Sequence, residues 1–267
     1  SDWEAVGSQG FVYKLTEQDS MLFNKNSYLK IIEYDKDNND HLDGIMRIHD
    51  AEPIRIARSI TDYQTLFNLP KSKTILALND GELIAYLTFG WSTNKPGIIE
   101  AGGSTEGIET LIKHFLENEM SDENTQALVP LHKTTIGELL HTKKPKACFP
   151  IEEAKGMGYQ MNRINNMEIL LKSMRKYLQV KSINLKTSFS ISQKETNETI
   201  GVSLNDGKVE ISKRKQTRHI NLNRRNLVQL IFGSHPNIPQ IDIDPDTKKI
   251  FESIFPYHFT IWPLDRC

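Results

Sequence analysis

Two apolar runs, residues 74–78 and 82–89, flank Asn79-Asp80-Gly81. Asp-Gly between apolar runs suits a hairpin, because glycine takes positive φ without a Cβ clash. The pattern therefore predicts a β-hairpin. It recurs where Ile200-Gly201-Val202-Ser203-Leu204 meets Asn205-Asp206-Gly207 and Lys208-Val209-Glu210-Ile211-Ser212. The two hairpins are expected in separate sheets, with 188–193 pairing with 200–204 in the second. Residues 11–15, 28–32, 97–101 and 125–130 read as further strands.

Between these runs the apolar spacing becomes helical. Leu42, Ile45, Met46 and Ile48 predict a short helix. A second is expected over 60–69, capped by Ser59 or Thr61 and stopped by Pro70. Gly102-Gly103-Ser104 is expected to turn into a third, in which Ile108, Leu111, Ile112, Phe115 and Leu116 repeat at i, i+3, i+4 and i+7. Shorter helical signals follow at 136–140 and 246–255. One continuous helix is expected over 166–178, with Met167, Leu170, Leu171, Met174 and Leu178 on one face. Another runs from about Arg224 to Phe232, where Gly233 reads as a left-handed stop.

Composition narrows the class. The chain has 267 residues, 38% apolar and 25% charged, which excludes wholesale disorder and allows one large domain or two ordinary ones. Residues 145–158, rich in Pro, Lys and Gly, read as a domain boundary. A net charge of -1 argues against a chain that coats nucleic acid or an anionic membrane. No apolar run approaches the roughly 20 residues that span a bilayer. Ser1-Asp2-Trp3-Glu4 lacks the basic and apolar segments of a signal peptide and an initiator Met, so the chain reads as cut or processed. Cys148 and Cys267 alone make neither a disulfide framework nor a zinc site, and the expectation is a reducing, cytoplasmic compartment.

Few residues suggest chemistry by themselves. Arg47-Ile48-His49-Asp50 reads as a solvated helix surface, and Cys148 as a small packed side chain. Lys213-Arg214-Lys215 with Arg218, Arg224 and Arg225 is the one basic cluster; it reads as a charged edge strand protected against edge pairing.

The order strand, helix, helix, hairpin, strand, glycine turn, helix, strand over 28–129 resembles the GCN5-related N-acetyltransferase fold. Ile98-Ile99-Glu100-Ala101-Gly102-Gly103-Ser104-Thr105-Glu106 resembles the second acetyltransferase-like domain of the enhanced intracellular survival family. Those proteins carry two tandem acetyltransferase-like domains and then a sterol-carrier-protein-2-like domain. Met161-Asn162-Arg163-Ile164-Asn165-Asn166-Met167, the run 200–211, and Asn226-Leu227-Val228-Gln229-Leu230-Ile231-Phe232-Gly233 are similar to parts of that third domain. Trp3-Glu4-Ala5-Val6-Gly7 with Phe11-Val12-Tyr13-Lys14-Leu15 resembles the tail of the first, with Asp2 in place of a corner glycine.

The resemblance implies an α+β (mixed α/β) chain in three parts. Residues 1–27 would be the remnant of a first acetyltransferase domain, 28–150 a degenerate second one, and 151–267 a sterol-carrier-like domain. The intact protein would move acetyl from acetyl-CoA to an amine, as a cytoplasmic homo-oligomer with no nucleic-acid or membrane partner.

Such transfer needs N–H groups at a helix start to hold the pyrophosphate. The family uses an Arg/Gln-x-x-Gly-x-Gly/Ala turn, and here the place reads Glu100-Ala101-Gly102-Gly103-Ser104-Thr105-Glu106-Gly107. Gly102, Gly103 and Ser104 are the candidate cofactor contacts. The turn has no Arg or Gln, and Glu100 and Glu106 would put negative charge where phosphates come. Ser104 and Glu106 also fit plain helix capping. This chain alone is therefore expected to shape the acceptor pocket and the assembly without binding acetyl-CoA.

The family's terminal carboxylate reaches into the first domain's site. That makes the α-carboxylate of Cys267 the candidate catalytic group here, with Asp265 as a substitute, on a tail (259–264) expected to be ordered and buried. The alternatives are a lipid-binding module, with a groove lined by Met167, Leu170, Leu171, Met174, Leu227, Leu230, Ile231 and Phe232, or a pure assembly domain.

Overall fold

Asp80 and Gly81 adopt φ of 48° and 86°, and Asp206 and Gly207 adopt 47° and 77°. Two successive positive φ values make the turn whose twist matches antiparallel strands. The computed structural model describes residues 4–5, 10–52, 55–91, 96–120, 125–130, 134–144, 148–150, 161–233 and 243–257.

In chain order the elements are β1 (Glu4–Ala5), β2 (Gly10–Leu15), a 3-10 helix (Glu17–Leu22), β3 (Lys30–Glu33), α1 (Asn39–Ala51), α2 (Ile60–Leu66), β4 (Ser72–Asn79), β5 (Glu82–Trp91) and β6 (Pro96–Gly103). Then come α3 (Thr105–Asn118), β7 (Thr125–Pro130), α4 (Thr135–Lys143), β8 (Cys148–Pro150) and β9 (Met161–Asn162). The rest is α5 (Met167–Ser173), α6 (Arg175–Lys181), β10 (Lys186–Gln193), β11 (Glu198–Asn205), β12 (Lys208–Ser212), β13 (His219–Leu222), α7 (Arg224–Phe232) and α8 (Pro245–Ile254).

The chain divides into two units. One is built on a seven-stranded sheet of order β3-β4-β5-β6-β7-β2-β8, antiparallel except between β6 and β7. Side chains alternate across a strand, and the two cores follow from that. Ile75, Ala77, Ala85 and Leu87 pack with Ile108, Leu111 and Phe115 of α3 and with Ile136 and Leu140 of α4. Leu76 and Tyr86 point the other way, to Leu42 and Ile45 of α1 and Tyr63 of α2. The other unit has a four-stranded sheet of order β12-β11-β10-β13, and β1 pairs there with β9. Its core holds Phe189 edge-on to Phe251 of α8 at 4.9 Å between centroids. The two expected hairpins thus lie in different sheets.

Several expectations are corrected. The helix over 166–178 is two helices, broken at Met174, whose ψ is 3°. Gly233 is not left-handed: its φ and ψ are -57° and 152°. It is a glycine because a Cβ there would lie 2.4 Å from the Gln229 carbonyl oxygen. Gly102 and Gly103 end β6 rather than forming the turn. The strand β13 was not anticipated; it is four residues long and pairs in parallel with β10, a partner set by the fold rather than by a turn. Residues 11–15 lie inside the seven-stranded sheet, between β7 and β8. The boundary expected over 145–158 lies mostly outside the described residues; within it, 148–150 form β8.

The start of α2 tests the local reading. Ser59 caps it, accepting from the Asp62 N–H at 3.2 Å, and Asp62 accepts from the Ser59 N–H at 2.7 Å. That backbone bond, then the Ser59 hydroxyl, holds the Asp62 carboxyl below its usual value of 3.8. A carboxyl with a lowered folded pKa contributes stability above its unfolded pKa and loses it as pH falls through the folded pKa. The stability gap between the wild type and Asp62→Ala should therefore be full at pH 6 and shrink from about pH 4 downward. Urea unfolding across that range reads it, and a gap independent of pH would contradict the assignment.

Candidate functional site

The parallel strands β6 and β7 pair only where Gly97 meets Gln126 and Ile98 meets Ala127. Among the described residues no further ladder pair joins them. Strands that separate leave ladder N–H and C=O groups facing a gap, where an extended amide-bearing ligand can pair. At this gap, Ala101, Val129, Ile136 and Leu140 are 4%, 2%, 1% and 0% exposed and share one core.

The start of α3 stands at the end of β6. Gly103 has φ of 116°, and a Cβ there would lie 2.2 Å from the Ile84 carbonyl oxygen. A Cβ at Gly102 would meet the Tyr86 ring at 2.8 Å, and one at Gly107 the Ala85 Cβ at 2.5 Å. Close packing on β5 accounts for all three glycines. The Ser104 N–H donates to the Ile84 carbonyl at 2.9 Å, and the Ser104 hydroxyl accepts from the Gly107 N–H at 3.1 Å. The N–H groups of Thr105 and Glu106 are the first-turn donors left for an anion. Glu106 brings a carboxylate to that same turn, where it accepts from the Tyr28 hydroxyl at 2.7 Å. This bond, before burial, raises the Tyr28 phenol. Residues 20–28 run back along α3: Lys113 reaches the Ser20 and Phe23 carbonyls, and Glu109 takes the Asn24 N–H.

Glu100 does not stand with Glu106. Thr88 pairs with Glu100 and Phe89 with Ile98, so Ile99 is the extra residue of a bulge. A bulge puts two successive side chains on one side of a strand, and here Ile99 and Glu100 both turn toward α1 and α2. The Glu100 carboxylate is fully buried and takes both arms of the Arg58 guanidinium, at 3.0 and 2.6 Å, with the Arg58 side chain 1% exposed. Tyr86 donates a third bond at 2.7 Å. An unpaired buried carboxylate would cost several kcal/mol, about what this geometry offsets.

The cluster extends outward from that pair. The Arg58 Cζ lies 5.5 Å from the centre of the Tyr63 ring. The Tyr63 hydroxyl meets His49 Nδ1 at 2.6 Å and Asp50 at 3.3 Å, and Arg55 Nε reaches Asp50 at 3.1 Å. Burial, then the Asp50 charge, pushes the Tyr63 phenol well up. Burial, then Glu100, raises Tyr86 and Glu52.

His49, expected on a solvated surface, is fully buried. The spacing of Leu42, Ile45 and His49 places it on the inner face of α1, a signal present in the sequence. Glu100 had a signal too, as a lone charge within Ile98-Ile99-Glu100-Ala101. Nothing local pointed to Arg58.

Other candidates fall elsewhere. Cys267, Asp265 and the tail 259–264 lie outside the described residues. Of the residues expected to line a lipid groove, all but the half-buried Leu170 are buried in the core. The basic cluster follows the edge strand β12, with Lys213 on Glu168 at 3.1 Å. Among the described residues no group of three or more His, Cys, Asp or Glu is placed to hold a metal ion. Among them, no helix is long and apolar enough to cross a membrane.

No protein-family model matches the chain. No curated protein matches it. Solved structures do. A GCN5-related N-acetyltransferase from Anabaena variabilis is 14% identical, with a TM-score of 0.64, over 96% of this chain and 66% of its own. A conserved protein of unknown function from Enterococcus faecalis, described as a probable N-acyltransferase, is 13% identical with a TM-score of 0.66 over the same shares. Eis1 from Mycobacterium abscessus is 12% identical with a TM-score of 0.59, over 98% of this chain and 68% of its own. The chain has the mixed α/β fold of the GCN5-related N-acetyltransferases, and spans 66% of the length of the first two structures.

Proposed function

We propose that this chain is the C-terminal portion of a tandem acetyl-CoA-dependent N-acetyltransferase. In this reading residues 1–27 end a first acetyltransferase domain. Residues 28–150 form a second that shapes the acceptor pocket and the assembly, and residues 151–267 form a sterol-carrier-like domain. The intact protein is a cytoplasmic homo-oligomer that acetylates an amine. The amine attacks the thioester carbonyl, and a general acid protonates the leaving thiolate. The observation that carries the reading is the likeness to acetyltransferase structures, which runs over 96% of the chain and so through both units.

The cofactor belongs to the other domain in this proposal. Support comes from the glycines of 102–107, each needed for packing, and from Glu106 on the helix turn. Calorimetry with acetyl-CoA on this chain should register no binding at micromolar concentrations. Micromolar binding would instead make Gly102, Gly103 and Ser104 the cofactor site.

Where Cys267 is the last residue of the intact protein, its α-carboxylate is the group that would draw and help deprotonate a cationic acceptor. Adding a short tail after Cys267 in the intact enzyme should lower turnover well beyond any loss of stability. Unchanged turnover would remove Cys267 from the mechanism.

A further inference from the structure

Arg58 sits outside regular structure, in the stretch between α1 and α2, directly before the Ser59 cap. Around it stand residues of regular elements: Glu100 on β6 takes its guanidinium, the Tyr63 ring on α2 lies beside it, and Tyr86 on β5 donates to Glu100. Three features make these partners a cup for a planar cation. Both Glu100 oxygens face the guanidinium fork, at 3.0 and 2.6 Å, the bidentate arrangement that fits a guanidinium best. The Tyr86 hydroxyl donates to Glu100 Oε1, one of those two oxygens, at 2.7 Å. The Tyr63 ring offers its π system 5.5 Å from the Arg58 Cζ. Glu52, half-buried, adds a second acidic group, whose carboxyl is raised first by burial and then by the nearby Glu100 charge.

We propose that Glu100, Tyr86 and Tyr63 form a binding site for a guanidinium group, held shut by Arg58 as an internal occupant. The cup is carried by the sheet and α2, and the occupant by the connector between α1 and α2. A group tethered this closely competes at an effective concentration of mM or more. Micromolar arginine-like ligands therefore leave the wild type unchanged. The inference is independent of the acetyltransferase reading, because neither acetyl-CoA nor acetyl transfer enters its test.

The test is rescue of Arg58→Ala by methylguanidinium, followed by thermal and urea unfolding. The variant should be less stable than the wild type. Methylguanidinium at 0–20 mM should raise its stability along a saturating curve, by about tenfold in the folding constant at ten times the dissociation constant. Sodium chloride at the same ionic strength should not. The wild type and Arg58→Ala/Glu100→Gln should show no saturating rise. If Arg58→Ala does not fold unaided, the readout becomes the refolded yield with and without methylguanidinium, with the same expectation. Absence of rescue in the single variant, or equal rescue in the double variant, overturns the proposal.

Discussion

Glu100→Ala should destabilise the protein by about 3–5 kcal/mol, the range for removing one partner of a buried ion pair. The loss is large because the variant keeps the Arg58 guanidinium, 1% exposed, with its bidentate partner gone. The Tyr86 hydroxyl, buried and donating to Glu100 at 2.7 Å, loses its acceptor as well. Taking away both charges should cost far less. Arg58→Met/Glu100→Leu puts apolar groups of similar volume on the face of the sheet that Ile99, already 4% exposed, shares with Glu100. That double variant should recover the part of the Glu100→Ala loss that comes from the stranded guanidinium, since apolar replacement of a buried pair is often neutral, but not the part that comes from the Tyr86 hydroxyl. Urea unfolding of the variants measures it. A Glu100→Ala loss below about 1 kcal/mol, the range of exposed pairs, would mean that water reaches the pair.

Gly103→Ala should cost roughly 2–5 kcal/mol, from two additive sources. Its φ of 116° disfavours any L side chain, and its Cβ would meet backbone, the Ile84 carbonyl oxygen at 2.2 Å and the Ala85 Cα at 2.5 Å. That carbonyl also accepts the Ser104 N–H at 2.9 Å, so relieving the clash loosens the start of α3. Gly81→Ala is the control. It also has positive φ, 86°, but nothing lies within 4 Å of its Cβ, so the cost should stay near the backbone share of about 1–2 kcal/mol. Equal losses at the two positions would contradict the packing account of Gly103.

The lone charge in Ile98-Ile99-Glu100-Ala101 shows how far local information reaches. A carboxylate inside an apolar strand announces that a buried partner exists, since the unpaired state is too costly. It does not say which residue answers. Arg58 is 42 positions away, and the bulge at Ile99 decides which side Glu100 takes. Its negative charge, read from sequence as facing the start of α3, is instead neutralised on the opposite face of the sheet. His49 was misread for a related reason. Its neighbour Asp50 suggested water, whereas the face it shares with Leu42 and Ile45 took it inside to Tyr63.

The sequence alone determined what a few neighbouring residues can decide. Asp80-Gly81 and Asp206-Gly207 dictated their hairpins, because positive φ is set by the residue that must adopt it. Ser104 dictated where α3 begins, and the start of α2 was narrowed to Ser59 or Thr61, of which Ser59 is the cap, because a cap is satisfied within three residues. The stripe from Ile108 to Leu116 dictated the buried face of α3. Only the tertiary structure decided that residues 11–15 enter between β7 and β8, that β13 lies parallel to β10, and that Arg58 closes over Glu100. Each of these joins segments distant along the chain. Pairing partners and buried charges are selected by the whole packed core, whose free energy belongs to no single segment.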